Sequence, residues 1–215
     1  KNKKVVSVST KNEEIETDYL IASADYAHVE NQLLEKKYRN YSTEYWNKKN
    51  FSPSSLLFYL GVSKKLNKLD HHTLFFDEDI EQHSNDIYEK PIWPKKPLFY
   101  ACCPAKTDPK VAPKDKENLF ILVPIAAGLN DTEEIREEYF KIVMKRLEKF
   151  CGEKIIEHIE YKKSYCVNDF ITDYNAFKGN AYGLANTLMQ TANLKPKIVN
   201  KQVQNMYYTG QLTVP

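Results

Sequence analysis

Glycine is scarce in this chain, six in 215 residues, and no glycine-rich dinucleotide fingerprint or phosphate-binding P-loop is present. No run of five or six like charges occurs and the net charge is +2, so there is no basic arm and no global reason to expect nucleic acid. Long apolar runs are missing too. The longest, Leu56 to Val62 and Leu119 to Ala127, fall far short of the roughly 20 residues that span a bilayer, so any membrane contact is expected to be peripheral. Four cysteines, two of them adjacent as Cys102 and Cys103, are too few for the disulfide framework of a small secreted domain and read as reduced, intracellular thiols. The five histidines never fall into a His-x3-His spacing and Cys-x2-Cys is absent. Adjacent His71 and His72 should point to opposite faces of a strand, as should Cys102 and Cys103, so no metal site and no redox pair is expected. No Gly-x-Ser-x-Gly elbow or protease-like cysteine supports nucleophilic catalysis. The opening KNKKVV is neither a signal peptide nor a transit sequence, and the last residues, Thr-Val-Pro, directly follow an apolar stretch; an excerpt of a longer polypeptide is expected.

What is present is the composition of a folded protein, 42% hydrophobic and 28% charged. Val5 to Val8 and Ile15 to Ile21 around a polar Lys-Asn-Glu turn predict a β-hairpin. Val29 to Trp46 favours helix or irregular structure and leads into an aromatic cluster of Tyr38, Tyr41, Tyr45, Trp46 and Phe51, the candidate apolar membrane patch. Four strands are predicted at Ser55 to Val62, His72 to Phe76, Leu98 to Cys103 and Leu119 to Ile125, the last buried on both faces. Prolines 91, 94 and 97 exclude helix and make a stiff connector. Asp77, Glu78 and Asp79 read as a solvated strand end. A helix is predicted from Asp131 or Thr132 to Cys151, with Asn130 or Asp131 as N-cap, acidic residues early, basic residues late and Gly152 as the stop. Ile155 to Tyr165 should return as a strand, and Leu184 to Ala192 is a short helix candidate. Asp169 and Asp173 lie in a glycine-bearing segment, where turn formation competes with a site role. The residues alone therefore predict an α+β protein with a largely antiparallel central sheet, covering helices and an aromatic-rich apolar surface.

A more specific pattern sits near the end: residues 174–192, YNAFKGNAYGLANTLMQTA, then Lys195-Pro196, then residues 206–215, MYYTGQLTVP. Ala24-Asp25-Tyr26, residues 52–61, 71–76 and 103–113 precede it in a fixed order. Together these resemble bacterial CrtI-type phytoene desaturases, which are FAD-dependent carotenoid desaturases. The resemblance covers nearly the whole chain. It implies an α/β flavin domain of the amine-oxidase type, interleaved with a substrate domain. Residues 1–28 would be a flavin-domain hairpin and strand, 29–165 the substrate-binding domain, and 166–215 the return to the flavin domain.

The implied reaction introduces C=C bonds into a polyene by hydride transfer to flavin. The implied partners are a carotenoid substrate and peripheral membrane lipid, without nucleic acid, in the bacterial cytoplasm at the membrane surface. Gly210, Gln211, Leu212 and Thr213 match the start of the flavin-contacting loop. Gly179, Asn180 and Gly183 are expected close to flavin or substrate. No catalytic residue follows from the resemblance. Without the glycine fingerprint the piece alone should hold FAD weakly and be inactive. A desaturase, isomerase or saturase for another polyene, such as a hydroxylated or C30 carotenoid, shares these motifs. A non-catalytic lipid-binding module is the alternative of a different class.

Overall fold

The computed structural model describes residues 3–213, so residues 1, 2, 214 and 215 of the spans above lie outside it. The chain divides into two compact units, residues 1–52 with 170–215, and residues 53–169.

The first unit begins with the expected hairpin. Strands β1 (Ser7–Ser9) and β2 (Glu14–Glu16) pair antiparallel, Val8 opposite Ile15. The second predicted strand does not run on to Ile21 but breaks. Its continuation, β3 (Leu20–Ala22), pairs in parallel with β9 (Met206–Tyr208) near the other end of the chain. A short helix α1 (Tyr26–His28) follows β3 and continues as a π-helical turn over Val29–Leu33; α2 is Thr43–Asn47.

The aromatic cluster is not a surface patch. Trp46 is fully buried, and Tyr41, Tyr45 and Phe51 pack with Tyr26, Tyr208 and Leu212 in the core of this unit. Tyr26 and Tyr208 stack at 3.8 Å. That packing places residues 29–52 in the same compact unit as residues 3–28. Burial has also taken in Glu30, whose carboxylate accepts from the backbone N–H of Asn40 and Tyr41, both at 2.7 Å, and from the Tyr208 hydroxyl at 2.9 Å. Burial pushes the Glu30 carboxyl upward and these bonds oppose it.

The second unit is an antiparallel sheet with covering helices. Its strands are β4 (Ser54–Val62), β5 (His72–Phe75), β6 (Phe99–Cys102), β7 (Glu117–Ile125) and β8 (Ile159–Tyr165), in the order β5-β6-β7-β4-β8. Helix α4 (Glu133–Cys151) buries Tyr139, Phe140, Val143, Met144 and Leu147 against Leu56, Phe58, Leu119, Ile121 and Val123. Such spacing puts one stripe of the helix on one face of the sheet. Residues 118, 120, 122 and 124 of β7 are only half-buried, so this strand is buried on one face, not on both.

Thr132, not Asn130 or Asp131, is the N-cap of α4: its hydroxyl accepts from the Ile135 N–H at 3.4 Å, while Gly152 ends the helix in the left-handed conformation. Thr132→Ala should destabilise this unit by about 0.5–1 kcal/mol, read as a lower urea midpoint at unchanged slope.

Helix α3 (Ile80–Tyr88) was not expected. Asp79 caps it through the N–H groups of Glu81 and Gln82 at 2.9 and 3.2 Å. Buried His83 fixes it to the sheet: Nδ1 accepts from Leu98 N and Nε2 donates to Pro124 O, both at 2.8 Å. The predicted helix at Leu184 to Ala192 does not form; Leu184 instead bridges Phe51, and Leu188 and Met189 project outward, 90% and 74% exposed. Helix α5 (Val167–Tyr174) contains the point where the two units divide.

Candidate functional site

In the first unit the parallel pair β3/β9 brings two loops together at its carboxyl ends, the place where α/β sheets bind ligands. One loop is Ser23 to Asp25 and the other is Thr209 to Leu212, tied back by the Thr209 N–H on Ala22 O at 3.0 Å. They line a cavity of about 380 Å³ together with Tyr174 and Asn180. Gly210, at φ +114°, presents backbone without a side chain to this space.

Asn180 holds the arrangement. Its Oδ1 accepts from Gly183 N at 3.0 Å and Gln211 Nε2 at 3.2 Å; its Nδ2 donates to Phe177 O at 2.9 Å and Asp25 Oδ2 at 3.2 Å. Asp25 also accepts from His28 N at 3.0 Å through Oδ1 and from Phe177 N at 3.1 Å through Oδ2. The carboxylate thus takes three donors and acts as a positioning group. Gly183 packs against the loop so closely that a Cβ built on it would lie 2.6 Å from Gln211 O.

Of the residues singled out by sequence, Asn180, Gly210, Gln211 and Leu212 line the cavity. Gly179, Gly183 and Thr213 stand behind it: Gly179 N donates to Ala176 O, and Thr213 closes a turn on Gly210 O through its N–H at 3.0 Å and its hydroxyl at 2.7 Å. Tyr26 borders the cavity, but burial drives its hydroxyl pKa strongly upward, and that hydroxyl donates to Lys197 O at 2.8 Å. It therefore stays neutral and serves as wall rather than as acid or base. The residue reading missed Ser23 and Phe170 as cavity lining, and no spacing signal marks them; Asp25 and Tyr174 were visible only within the Ala-Asp-Tyr and 174–192 matches.

Asp169 is structural. It accepts from the Cys166 N–H at 2.8 Å and pairs with Arg136 at 2.8 Å in the second unit. Cys102 and Cys103, expected on opposite faces of a strand, are both buried, and burial pushes the Cys103 thiol up to about 12.

The second unit has its own feature. The sheet face opposite α4 carries Tyr59 across from Phe120 on β4/β7, and Tyr100 across from Leu122 on β6/β7. The rings meet at 5.3 Å for Tyr59–Phe120 and 6.3 Å for Tyr100–Phe120. Leu74 and Tyr161 extend the surface and are 62% and 57% exposed. Two apolar hollows, of about 480 and 200 Å³, lie on this unit, one against Tyr59, Phe120 and Tyr161, the other against Leu74, Phe76 and Tyr100. A half-exposed antiparallel sheet face is ordinarily polar, so this one is shaped for an apolar neighbour.

Comparison with known proteins gives a consistent picture. The family model described as flavin containing amine oxidoreductase matches residues 1–214. The chain is 44% identical over 198 residues to the carotenoid 3,4-desaturase of Haloarcula japonica, covering 92% of this chain and 40% of that protein. It is 26% identical over 209 residues to the all-trans-zeta-carotene desaturase of Myxococcus xanthus (94% and 40% covered). It is 28% identical over 208 residues to the 4,4'-diapophytoene desaturase of Staphylococcus haemolyticus (92% and 41% covered). The chain thus spans about two fifths of the length of these relatives. Among solved structures, an oxidoreductase from Methanosarcina mazei superposes with a TM-score of 0.56 at 11% identity, over 99% of this chain and 42% of that one, which shows a shared fold.

Proposed function

The chain belongs to the flavin containing amine oxidoreductase family, and from that membership we propose that it forms part of a carotenoid desaturase, with the open sheet face of the second unit as a wall for the polyene. The observation that carries the reading is the aromatic surface of Tyr59, Tyr100, Phe120 and Leu122, rigid and half-exposed where a sheet would otherwise be solvated. Support comes from the relatives, all named for carotenoids. Positioning a long hydrocarbon and keeping water from it is work such a surface can do.

The family implies an FAD-type flavin, which when bound supplies the electron-accepting chemistry. The first-unit cavity fits one edge of such a group. Asn180, Gln211 and the bare backbone at Gly210 would hold it, and about 380 Å³ has room for a ring system rather than for a whole dinucleotide. Asn180 keeps the loop in register and Asp25 keeps Asn180 in place.

Phytoene is the substrate expected from the motifs. A second reading, 3,4-desaturation of a carotenoid other than phytoene, is favoured by the 44% identity to a carotenoid 3,4-desaturase against 25–28% for relatives named for phytoene, diapophytoene or ζ-carotene. The test is pigment analysis of bacterial hosts that accumulate either substrate and express the complete reading frame. A longer chromophore in one host identifies the substrate. Both pigments unchanged, with soluble flavin-loaded protein present, would overturn the desaturase reading. A Phe120→Glu variant should cut product at least tenfold if the sheet face guides the polyene.

Membrane association belongs to the same proposal. No helix among the described residues is long and apolar enough to cross a membrane. Outward-facing Leu188 and Met189 are the candidate contact. Changing both to Ser should reduce flotation of the complete protein with liposomes; undiminished flotation rejects this contact.

A further inference from the structure

The edge of the five-stranded sheet carries a separate group of residues. His72 and Cys102 are directly opposed in the β5/β6 pair, so both side chains stand on the same face. His71 precedes β5, which begins at His72, so strand alternation does not govern its ring. That ring stacks on His72 at 4.1 Å and 26°, contrary to the expected opposite faces. One ligand atom from each of His71, His72 and Cys102 lies within 4.8 Å of the others.

Both imidazoles are oriented from behind. The Thr107 hydroxyl lies 2.6 Å from His71 Nδ1 and 3.3 Å from Pro104 O; with its own proton on Pro104 O, it accepts the ring proton of the Nδ1–H tautomer. This leaves the lone pair of His71 on Nε2. His72 Nδ1 meets the Tyr100 hydroxyl at 2.5 Å. A hydrogen-bonded far nitrogen is the usual arrangement around metal-binding histidines.

We propose that His71, His72 and Cys102 bind a divalent transition-metal ion of the zinc class. Two imidazoles and a thiolate are a donor set suited to such an ion. With bonds of about 2.0 Å to nitrogen and 2.3 Å to sulfur, tetrahedral ligand atoms sit roughly 3.3–3.8 Å apart. Closing from 4.8 Å takes about 1–1.5 Å of side-chain movement, available to exposed His72 and half-exposed His71. Three protein ligands leave a fourth position for water. The ion would clamp the first residue of edge strand β5 to β6, and edge strands need such protection. The proposal needs neither the flavin nor the polyene reading, although His72 and Cys102 share the sheet face of Tyr100 and Phe120, with Cys102 directly opposite Phe120.

The test is titration of the reduced 215-residue chain with Co²⁺ as spectroscopic probe and Zn²⁺ as competitor. One equivalent of Co²⁺ should give tetrahedral visible absorption with a sulfur-to-metal charge-transfer band, and Zn²⁺ should abolish both. Cys102→Ser should remove the charge-transfer band, and His72→Ala should weaken binding at least tenfold. Thr107→Val, behind His71, should weaken it about tenfold as well. His28→Ala, in the other unit, should change nothing. Since Cys102 is buried, circular dichroism accompanies each variant, and exposed His72 carries the test if Cys102→Ser does not fold. Absence of the band in the parent chain, or full affinity in His72→Ala, overturns the proposal.

Discussion

Asp131→Ala is expected to destabilise the second unit by about 3 kcal/mol, the lower end of what breaking a buried ion pair costs. Asp131 and Arg136 are each 6% exposed and form a two-pronged pair, Nε to Oδ1 at 2.7 Å and Nη2 to Oδ2 at 2.6 Å. The same carboxylate accepts from the Asn168 N–H at 2.9 Å. Truncation therefore strands a buried guanidinium and a backbone donor together. Asp169, one-third exposed and 2.8 Å from Arg136, keeps part of the compensation and holds the loss near the lower bound. The measurement is urea unfolding with midpoint and slope both fitted. Asp131→Leu combined with Arg136→Met should recover most of the loss, because removing both charges leaves neither unpaired. A single variant within 0.5 kcal/mol of the parent would refute the assignment.

The pair also sets an acid limit. Burial alone would raise the Asp131 carboxyl, but the Arg136 hydrogen bond and the Asn168 N–H outweigh it and hold the group below the ordinary carboxylate value of 3.8. A carboxyl whose folded pKa is depressed contributes stability above its unfolded pKa and loses it as pH falls through the folded one. Full stabilisation from Asp131 is therefore expected above about pH 4, decaying below it. Asp131→Ala should flatten that acid limb in a series of unfolding curves.

Asp131 shows why the sequence could be read only so far. As a cap candidate beside Thr132 it looked local, and nothing in spacing reveals a carboxylate aimed inward at Arg136. Helix α4 was legible because its apolar positions form one stripe and Gly152 follows the last turn. Strands β4 and β7 were legible because their apolar runs fill the sheet core. Helix α3 was not: it buries only His83, Asp86 and Ile87, two of them polar, and its cap Asp79 sits in what reads as an acidic strand end. Leu184 to Ala192 misled in the other direction, since Leu188 and Met189 have helical spacing to nothing and point outward.

The candidate cavity was half visible. The Gly210 loop and Asn180 came from motif resemblance, but their meeting depends on the parallel pairing of β3 with β9 across nearly the whole chain, and pairing partners are not written in local pattern. The histidine pair failed for a definable reason. Alternation separates neighbours only inside a strand, and His71 lies one residue outside it.

Gly183→Ala, in the complete reading frame, should lower turnover about a hundredfold while the protein still accumulates and folds. Gly183 sits at φ +78°, and its added Cβ would meet Gln211 O at 2.6 Å and Gln211 C at 3.0 Å, backbone atoms that cannot swing aside. The Gly210 to Leu212 loop must therefore shift, and a displacement of about 1 Å at a positioning element can cost a hundredfold in rate. Left-handed strain accompanies the clash, so the comparison must separate the two. Gly152 provides the control: φ is +69°, yet nothing lies within 4 Å of its added Cβ. Gly152→Ala should therefore lose about 1 kcal/mol from the conformational term alone and keep full turnover. Equal stability losses with turnover falling only in Gly183→Ala would assign the loop to the working site through position rather than stability. Equal turnover in both variants would remove the Gly210 loop from the site and leave the cavity a structural void.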